Sequence, residues 1–289
     1  MRIAILTSVD IRHRYFANAL RARCDVVAVG YEETGYHPAS SDDSELTSEE
    51  QTIVRAHYLE RQRQEELFFG HDSTFIADGP CCAVRRLSPG SLNTVDTLAW
   101  LEAAAPDAAV VYGTNLIKGP LLGRWPGRMI NLHLGLSPYY RGTATNFYPL
   151  VNGEPQFVGA TIHLIDAGID SGPICAQVRP EIVLGDRPHT IGCKTIRAGI
   201  TTMIEVLEGM EQETMTATPQ WSVPNSRLYL RKNYHPRQVV ELYRRLEAGL
   251  IADYVPRAAK IGAQIRLVEI PRRPHGPVKG THATAAMPT

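Results

Sequence analysis

The 289-residue sequence has few cysteines, no long apolar run and no net charge, and each absence excludes a class of protein. Its five cysteines include no C-x-x-C pair, so neither a disulfide framework nor a zinc knuckle is indicated, and we expect reduced thiols. No segment approaches the roughly eighteen apolar residues that cross a bilayer, and the opening apolar run is too short for a signal peptide, which predicts a cytoplasmic protein. Thirty basic and thirty acidic side chains cancel, so no cationic field points to a nucleic acid or a membrane as partner.

Several nucleotide and nucleophile motifs are also missing. The first turn after a predicted strand, residues 7–12, contains no glycine, so the G-x-G-x-x-G dinucleotide fingerprint is absent. The chain has no G-x-x-x-x-G-K-[ST] phosphate loop and no G-x-S-x-G elbow. These absences exclude an NAD-dependent dehydrogenase, a P-loop NTPase and the usual α/β-hydrolase.

What the sequence does contain is an alternation of short apolar runs with amphipathic stretches. Residues 2–8 predict a strand, helical spacing follows over residues 15–20, and residues 24–30 form a second apolar run typical of a strand buried on both faces. Further strands are predicted over 107–112, 128–134, 157–164 and 172–181, and helices over 93–105 and 190–209. We therefore predict an α/β fold with a Rossmann-like, mostly parallel sheet and helices on both faces.

Composition divides the chain into three parts. Residues 1–210 carry the α/β pattern, residues 211–270 read as a small C-terminal extension, and the Pro-, Gly-, Ala- and Thr-rich residues 271–289 are predicted to be a disordered tail. Within the first part, residues from about 42 to 70 are rich in Glu, Arg and Gln. We interpret them as an insertion that ends in a solvated surface helix, whose narrow apolar stripe includes Tyr58, Leu59 and Phe69.

Two polar side chains share one face of a predicted strand. Asn131 and His133 alternate with apolar residues, so both point to the same side. Because a buried polar group without a partner costs about 1–3 kcal/mol, the pair needs an explanation, and for an isolated N-x-H a satisfied core pair is the commoner one. The loop over residues 135–142 nevertheless leaves the carboxyl end of this strand, where open α/β sheets bind their ligands.

A second loop, within residues 163–174, is expected to reach the same edge of the sheet. Gly168 and Gly172 are expected to let it bend tightly, because glycine tolerates positive φ. The loop lacks the turn glycine and the bidentate glutamate of a calcium loop, which excludes calcium. A metal held by His133, His163 and one aspartate is a minor alternative, and we predict no metal.

In order and spacing, NLHLGLSPYYRG and HLIDAGIDSGPI resemble the motifs of the folate-dependent formyltransferase family, N-x-H followed by H-x-x-D-x-G-x-D-x-G-x-I. The resemblance covers roughly residues 1–210 and implies that this part is the catalytic domain. It implies an enzyme that uses 10-formyltetrahydrofolate as formyl donor. By motif position, it also implies that the functional trio is Asn131, His133 and Asp170.

The chemistry of formyl transfer suits these three side chains. The amide of Asn131 can hold the oxyanion of a tetrahedral intermediate. His133 is expected to be the proton shuttle or a further oxyanion donor, with Asp170 orienting it or relaying the proton through water. The resemblance further implies a folate pocket formed mainly by backbone, at Gly113, Asn115, Leu116, Ile117, Ala167 and Gly168.

The acceptor amine must be inferred from the surroundings of this core. Glycinamide ribonucleotide transformylases carry a glycine- and serine-rich phosphate turn that is absent here, the neutral charge argues against methionyl-tRNA, and formyltetrahydrofolate deformylases usually have a domain ahead of the core strand. These comparisons favour a small-molecule amine, first a nucleotide-linked amino sugar and second an amino-acid-derived amine of secondary metabolism. A catalytically retired folate-binding protein is the alternative of another class.

Four side chains are candidates for binding this acceptor. Arg12, Arg14 and Arg141 are expected to pair with phosphates or a carboxylate, and Tyr139 to stack on the acceptor. An ordinary solvated helix turn at residues 12–14 and simple aromatic packing at Tyr139 are the competing interpretations. We expect neither a nucleic acid nor a membrane as partner, and the oligomeric state, with a homodimer as one alternative, stays open.

Overall fold

The computed structural model describes residues 1–33 and 45–270. The predicted tail over residues 271–289 and the first residues of the predicted insertion lie outside this part of the chain. Seven of the strands form one sheet in the order β3-β2-β1-β4-β5-β7-β8, and β6 pairs with β9 in a small second sheet. The strands are β1 (Arg2–Ser8), β2 (Asp25–Glu32), β3 (Ala83–Leu87), β4 (Ala108–Tyr112), β5 (Met129–His133), β6 (Tyr140–Gly142), β7 (Ala160–Leu164), β8 (Ile174–Val178) and β9 (Arg227–Tyr229).

The large sheet confirms the predicted α/β fold. Strands β3, β2, β1, β4 and β5 are parallel to one another, and β7 is antiparallel to both of its neighbours, β5 and β8. The helices are α1 (Ile11–Arg21), α2 (Ser48–Phe69), α3 (Val95–Ala103), α4 (Gly119–Leu122), α5 (Tyr148–Val151), α6 (Pro188–Glu211), α7 (Arg237–Glu247), α8 (Leu250–Tyr254) and α9 (Ala258–Gly262). None of those in the described residues has the length and hydropathy of a transmembrane helix.

Alternate side chains of the central strands pack into two cores on opposite faces of the sheet. In β1, Ile3 and Ile5 join the core under α1 and α6, while Ala4 and Leu6 join the core under α3. In β5, Ile130 and Leu132 face the first of these cores and Met129 the second. Asn131 therefore shares a face with Met129, in agreement with the predicted alternation.

Helix α2 is not the solvated surface helix that the sequence suggested. It begins with a capping box formed by Thr47 and Glu50, and its buried residues include the polar His57 and Glu65. Leu59, which the apolar pattern placed on the buried face, is 67% exposed. The prediction is wrong because α2 packs against α1, α6 and α7 through a face that mixes apolar and polar side chains.

The second loop also bends differently from the prediction. Neither Gly168 nor Gly172 has a positive φ, and the left-handed residue is Asp170, with a φ of 47°. Gly172 is needed for space instead, because a Cβ there would lie 1.8 Å from the carbonyl oxygen of Leu164. The left-handed backbone of the loop therefore falls on Asp170, the residue that the motif singled out.

Candidate active site

A cavity of about 1500 Å³ crosses the carboxyl edge of the large sheet. Strands β1 and β4 end at this edge, and the strand order reverses between them, which is where open α/β sheets bind ligands. The cavity is lined by the ends of β1, β4 and β5, by α2, by the first turns of α6 and by residues of the segment 230–234. Pockets for one drug-sized ligand measure about 300–1000 Å³, so this cavity has room for two substrates.

Asn131, His133 and Asp170 meet in the wall of this cavity. The Nδ2 atom of Asn131 donates to Oδ1 of Asp170 at 3.3 Å, and Nδ1 of His133 lies 3.3 Å from Oδ2 of the same carboxylate. All three residues line the cavity. The structure therefore brings together the three side chains that the motifs singled out.

His163 completes this cluster. Its Nδ1 lies 2.8 Å from the carbonyl oxygen of Leu164, which only accepts, so the neutral ring carries its proton there. In the neutral ring, Nε2 then accepts from Nδ2 of Asn131 at 3.1 Å, and the same nitrogen lies 3.5 Å from Oδ1 of Asp170. Both N–H groups of Asn131 therefore have partners, and the bond of 3.3 Å to Asp170 is longer than the usual range, so that this N–H can be given up to a stronger acceptor.

His133 is buried, and both of its ring nitrogens face acceptors. Its Nε2 lies 3.1 Å from the carbonyl oxygen of Tyr140, while Nδ1 faces Asp170. Burial lowers the pKa of His133 below its ordinary value of 6.5, although the carboxylate of Asp170 opposes this. The ring is therefore neutral near pH 7, and the cation that forms on protonation is stabilised at both nitrogens.

Asp170 is held as a carboxylate. Burial alone would raise its pKa, but His133 and His163 outweigh this effect and keep the pKa of Asp170 below its usual range. The backbone N–H of Gly142 donates to its Oδ2 at 2.8 Å, and the side chain of Gln220 donates to its carbonyl oxygen at 2.8 Å. The carboxylate is thus fixed from β6, and the backbone of Asp170 is fixed from the C-terminal extension.

Five of the six predicted folate-pocket residues line the cavity. Gly113, Asn115, Leu116 and Ile117 form its wall after β4, and Gly168 lies in the opposite loop. Ala167, by contrast, is exposed and is not part of the cavity lining.

A buried carboxylate that the sequence analysis missed holds the 113–117 loop in place. Glu32 is fully buried at the end of β2 and accepts from the backbone N–H of Asn115 at 2.7 Å and from its Nδ2 at 2.8 Å. Asn93 binds the same loop from the other side, donating to the carbonyl oxygen of Leu116 at 2.9 Å. A loop fixed in this way can present backbone groups to a ligand in a constant geometry.

The four candidate acceptor residues have different surroundings. Arg12 and Arg14 line the cavity, but Arg14 donates to the carbonyl oxygens of Ser73 and Val9 and is not directed at a ligand. Tyr139 and Arg141 do not line the cavity. The ring of Tyr139 packs on other aromatic rings and its hydroxyl donates to the carbonyl oxygen of Arg266, which favours the packing interpretation over stacking on an acceptor.

Other cavity residues carry no motif that the sequence could have revealed. Tyr112 ends a buried strand, and His57 and Glu65 lie on a helix that looked solvated. Only the packing of α2 over the edge of the sheet brings them to the cavity. Across residues 1–33 and 45–270, no group of three or more His, Cys, Asp or Glu is placed to hold a metal ion.

Comparison with known proteins points to one family. The family model described as formyl transferase matches residues 40–207, which is more than half of the chain. A methionyl-tRNA formyltransferase from Thermodesulfovibrio yellowstonii is 33% identical over 141 residues, 48% of this chain and 45% of the relative. The matched region thus spans less than half the length of that relative.

Solved structures share the fold. A sugar N-formyltransferase from a Shewanella species superposes with a TM-score of 0.52 at 15% identity, over 84% of this chain and 87% of that chain. A phosphoribosylglycinamide formyltransferase from Anaplasma phagocytophilum gives a TM-score of 0.52 at 14% identity, over 80% and 98% of the two chains. At such low identity the likeness concerns the fold and not the acceptor.

Proposed function

The chain belongs to the formyl transferase family, and from that premise we propose that it transfers the formyl group of 10-formyltetrahydrofolate to a primary amine of a small molecule. The observation that carries the proposal is the convergence of Asn131, His133 and Asp170 in the wall of one cavity with room for donor and acceptor. The acceptor that we propose is a nucleotide-linked amino sugar.

The first chemical step is attack of the acceptor nitrogen on the formyl carbon. A carbon–nitrogen bond forms, and the carbonyl electron pair moves onto oxygen to give a tetrahedral oxyanion. One N–H of Asn131 leaves its long bond to Asp170 and donates to this oxyanion. Such a donor is typically worth about 100- to 1000-fold in rate.

The second requirement is removal of the proton from the attacking nitrogen. Neutral His133 is the base near pH 7, and Asp170 and the carbonyl oxygen of Tyr140 stabilise the imidazolium that forms. When the intermediate collapses, the bond to N10 breaks and this nitrogen receives the proton. The products are a formamide and tetrahydrofolate.

The choice of an amino sugar rests on the neutral charge of the chain and on the missing phosphate turn after β1. A second candidate, methionyl-tRNA, is favoured by the 33% identity to a methionyl-tRNA formyltransferase. A polyanionic acceptor would need a cationic surface, which a chain with thirty basic and thirty acidic side chains supplies only locally.

The test is an acceptor panel. Purified protein is given 10-formyltetrahydrofolate with dTDP- and UDP-linked amino sugars, with free amino acids or with methionyl-tRNA, and tetrahydrofolate release is followed. We expect turnover with an amino sugar nucleotide and a loss of about 100-fold or more in kcat for Asn131→Ala. Asn18→Ala, on the outer side of α1, is the matched control and should keep full activity.

Each outcome of the panel has a definite meaning. Turnover with methionyl-tRNA alone would replace the amino sugar by the second candidate. Release of formate in buffer, without an acceptor, would assign the trio to hydrolysis. If the protein binds tetrahydrofolate but turns over with no acceptor, it is a retired folate-binding protein and the proposal fails.

A further inference from the structure

The part of the cavity next to α2 is lined mainly by ionisable and aromatic side chains, unlike the part next to the 113–117 loop. We call it the α2 chamber, and six side chains from α1, α2, β4 and α6 define it. They are Arg12, His57, Arg61, Glu65, Tyr112 and His189. No motif predicts any function for five of them, and the mechanism above uses none.

The charges of the α2 chamber compensate one another. Glu65 accepts from Nη1 of Arg12 at 2.8 Å and from Nε of Arg61 at 2.9 Å, and Nη2 of Arg12 donates to Asp10 at 2.9 Å. Two arginines thus face two carboxylates. Burial alone would raise the pKa of Glu65, but Arg12 and Arg61 lower it, so the carboxylate stays charged.

Asp10 also places a negative charge at the start of α1, where a phosphate would otherwise be expected to bind. It is the N-terminal cap residue of α1, and the start of a helix is a common anion site. Its carboxylate and that of Glu65 satisfy the guanidinium of Arg12, the cation nearest to this helix start. An incoming phosphate would therefore meet two negative charges with no free charge on Arg12.

The imidazoles of the α2 chamber are uncharged. Nε2 of His189 lies 3.2 Å from Nδ1 of His57, so one ring donates to the other. Burial is the main cause that lowers the pKa of His57 to about 3 and that of His189 to about 4. Their ring faces, together with those of Phe147 and Tyr58, give the chamber an aromatic, electroneutral wall.

One polar group at the base of the chamber has no partner within the described residues. The side chain of Tyr112 is 2% exposed, and its hydroxyl makes no hydrogen bond to any residue in 1–33 or 45–270. Burial raises the pKa of this phenol, so the hydroxyl keeps its proton. An unused buried donor in a cavity wall is a ready contact for a hydroxyl or carbonyl oxygen of a ligand.

Resting on the proposed function, we propose that the α2 chamber binds an uncharged, hydroxyl-bearing ring of the acceptor, that Tyr112 hydrogen-bonds to this ring and that Glu65 excludes phosphate. Aromatic faces suit the C–H side of such a ring, and the compensated ion pairs offer no net attraction to an anion. The phosphates of a nucleotide-linked acceptor then lie outside this chamber.

The test is calorimetric titration with inorganic phosphate. We expect the wild type to bind no phosphate saturably, and Glu65→Gln, which leaves two arginines against one carboxylate, to bind it at least about tenfold more tightly. Glu60→Gln removes the same charge from the outer side of α2, where Glu60 pairs with Gln64, and should gain nothing. The double variant Glu65→Gln/Arg12→Gln should lose the new binding.

Two results would overturn the inference. One is phosphate binding by the wild type that Arg12→Gln abolishes, and the other is a folded Glu65→Gln protein that gains no phosphate affinity. If Glu65→Gln does not fold, Asp10→Asn supplies the same test at an exposed carboxylate of the same ion-pair group. The titration needs neither donor nor turnover, so failure of formyl transfer in the panel is distinguishable from failure of this inference.

Discussion

Burial and one shared carboxylate, that of Asp170, set the protonation state and the hydrogen bonds of the single side chains in the site. Asp170 contacts Asn131 and His133 and accepts from the backbone N–H of Gly142, so it links the proposed oxyanion donor to the proposed base. Burial keeps His133 neutral, and Asp170 limits how far its pKa falls. These opposing effects on the pKa of His133 make the activity depend on pH.

We expect kcat to fall as the pH drops through a pKa below 6.5, because protonated His133 cannot accept the proton of the amine. In Asp170→Asn, the carboxylate that raises this pKa is gone, so the acid limb should move to lower pH while the maximal kcat decreases. The measurement is kcat against pH with saturating acceptor. An acid limb that moves to higher pH, or not at all, would show that another group titrates.

Tyr112 and Tyr31 offer a matched pair of tyrosines. Both are buried, but the hydroxyl of Tyr31 accepts from the backbone N–H of Ile76 at 3.3 Å, whereas that of Tyr112 has no partner among the described residues. Tyr31→Phe should lower the free energy of unfolding by about 1–3 kcal/mol because it leaves a buried donor unpaired. Tyr112→Phe should leave that free energy unchanged or raise it.

The same two variants separate a binding role from a structural one. Tyr112→Phe should raise KM for the amino sugar nucleotide that turns over by about two- to tenfold, the worth of one hydrogen bond, with tetrahydrofolate binding unchanged. Steady-state kinetics and urea unfolding give both quantities. Destabilisation of Tyr112→Phe with an unchanged KM would contradict a ligand contact at Tyr112.

How far single residues were predictable depended on whether they carry a motif. Asn131, His133 and Asp170 stand in short patterns that are visible along the chain, and they do converge. Tyr112, Glu65 and Glu32 lie in strands and helices that look ordinary in the sequence. Their surroundings come from elements far apart along the chain, and no local pattern reports such contacts.

Among the secondary-structure elements, the small β6–β9 pair matters because it fixes Asp170. Gly142, the last residue of β6, has a φ of 92°, and a Cβ there would lie 1.9 Å from the carbonyl oxygen of Tyr229. Any side chain would push β9 away and move the N–H that Asp170 accepts. The glycine is therefore required by space as well as by backbone conformation.

We expect Gly142→Ala to lose most of its kcat and to unfold at lower urea than Gly185→Ala. Gly185 has a similar φ of 89° but no atom within 4 Å of a built Cβ, so it reports the left-handed backbone cost alone, about 1–2 kcal/mol. Urea unfolding and steady-state kinetics of both variants give the comparison. Equal kcat values in the two variants would mean that the β6–β9 pair does not position Asp170.

His57 of α2 and His189 of α6 form a partly buried contact, and we expect it to make the protein less stable in acid. The pKa values of His57 and His189 are about 3 and about 4 in the folded protein and near 6.5 when unfolded. Between pH 6.5 and 4 the unfolded chain binds more protons, so the free energy of unfolding should fall as the pH falls. In the double variant His57→Gln/His189→Gln, the free energy of unfolding should fall less steeply with falling pH, whereas His71→Gln, at an exposed position, should match the wild type. Urea unfolding at a series of pH values measures this.

Strands and long helices were predictable where apolar runs or 3.6-residue spacing dominate. The predicted strand over 2–8 coincides with β1, and the helix predicted over 190–209 lies within α6. The face of α2 was wrong because its buried side is half polar, so apolar spacing pointed to the exposed Leu59. Strand β3 was missed because two arginines interrupt its five residues.

For the molecule as a whole, the balance of charge separates the two acceptor candidates. A protein that grips tRNA neutralises several phosphates, and its affinity falls steeply with salt. With a formal charge of zero, we expect neither tRNA nor methionyl-tRNA to bind or to inhibit turnover at physiological salt. Filter binding over a salt series measures this, and saturable binding with a steep salt slope would favour the tRNA candidate.

The C-terminal extension and the insertion helix also act together with the α/β sheet. Tyr58 of α2 hydrogen-bonds to Tyr234 of the extension, and Arg231 donates to Asn115 in the 113–117 loop at 3.1 Å. Composition alone placed these segments at the periphery. The cavity wall is instead built from all three, which is why its acceptor side could not be predicted from motifs.

The most direct measurement follows the formyl carbon itself. The protein is incubated with 10-formyltetrahydrofolate labelled with ¹³C in the formyl group and with the amino sugar nucleotides of the panel, and the products are identified by mass spectrometry. We expect a ¹³C-formyl group on the acceptor nitrogen in equal amount to the tetrahydrofolate released, and about 100-fold less of both in Asn131→Ala. Label recovered only as formate, or a rate unchanged in Asn131→Ala, would contradict this expectation.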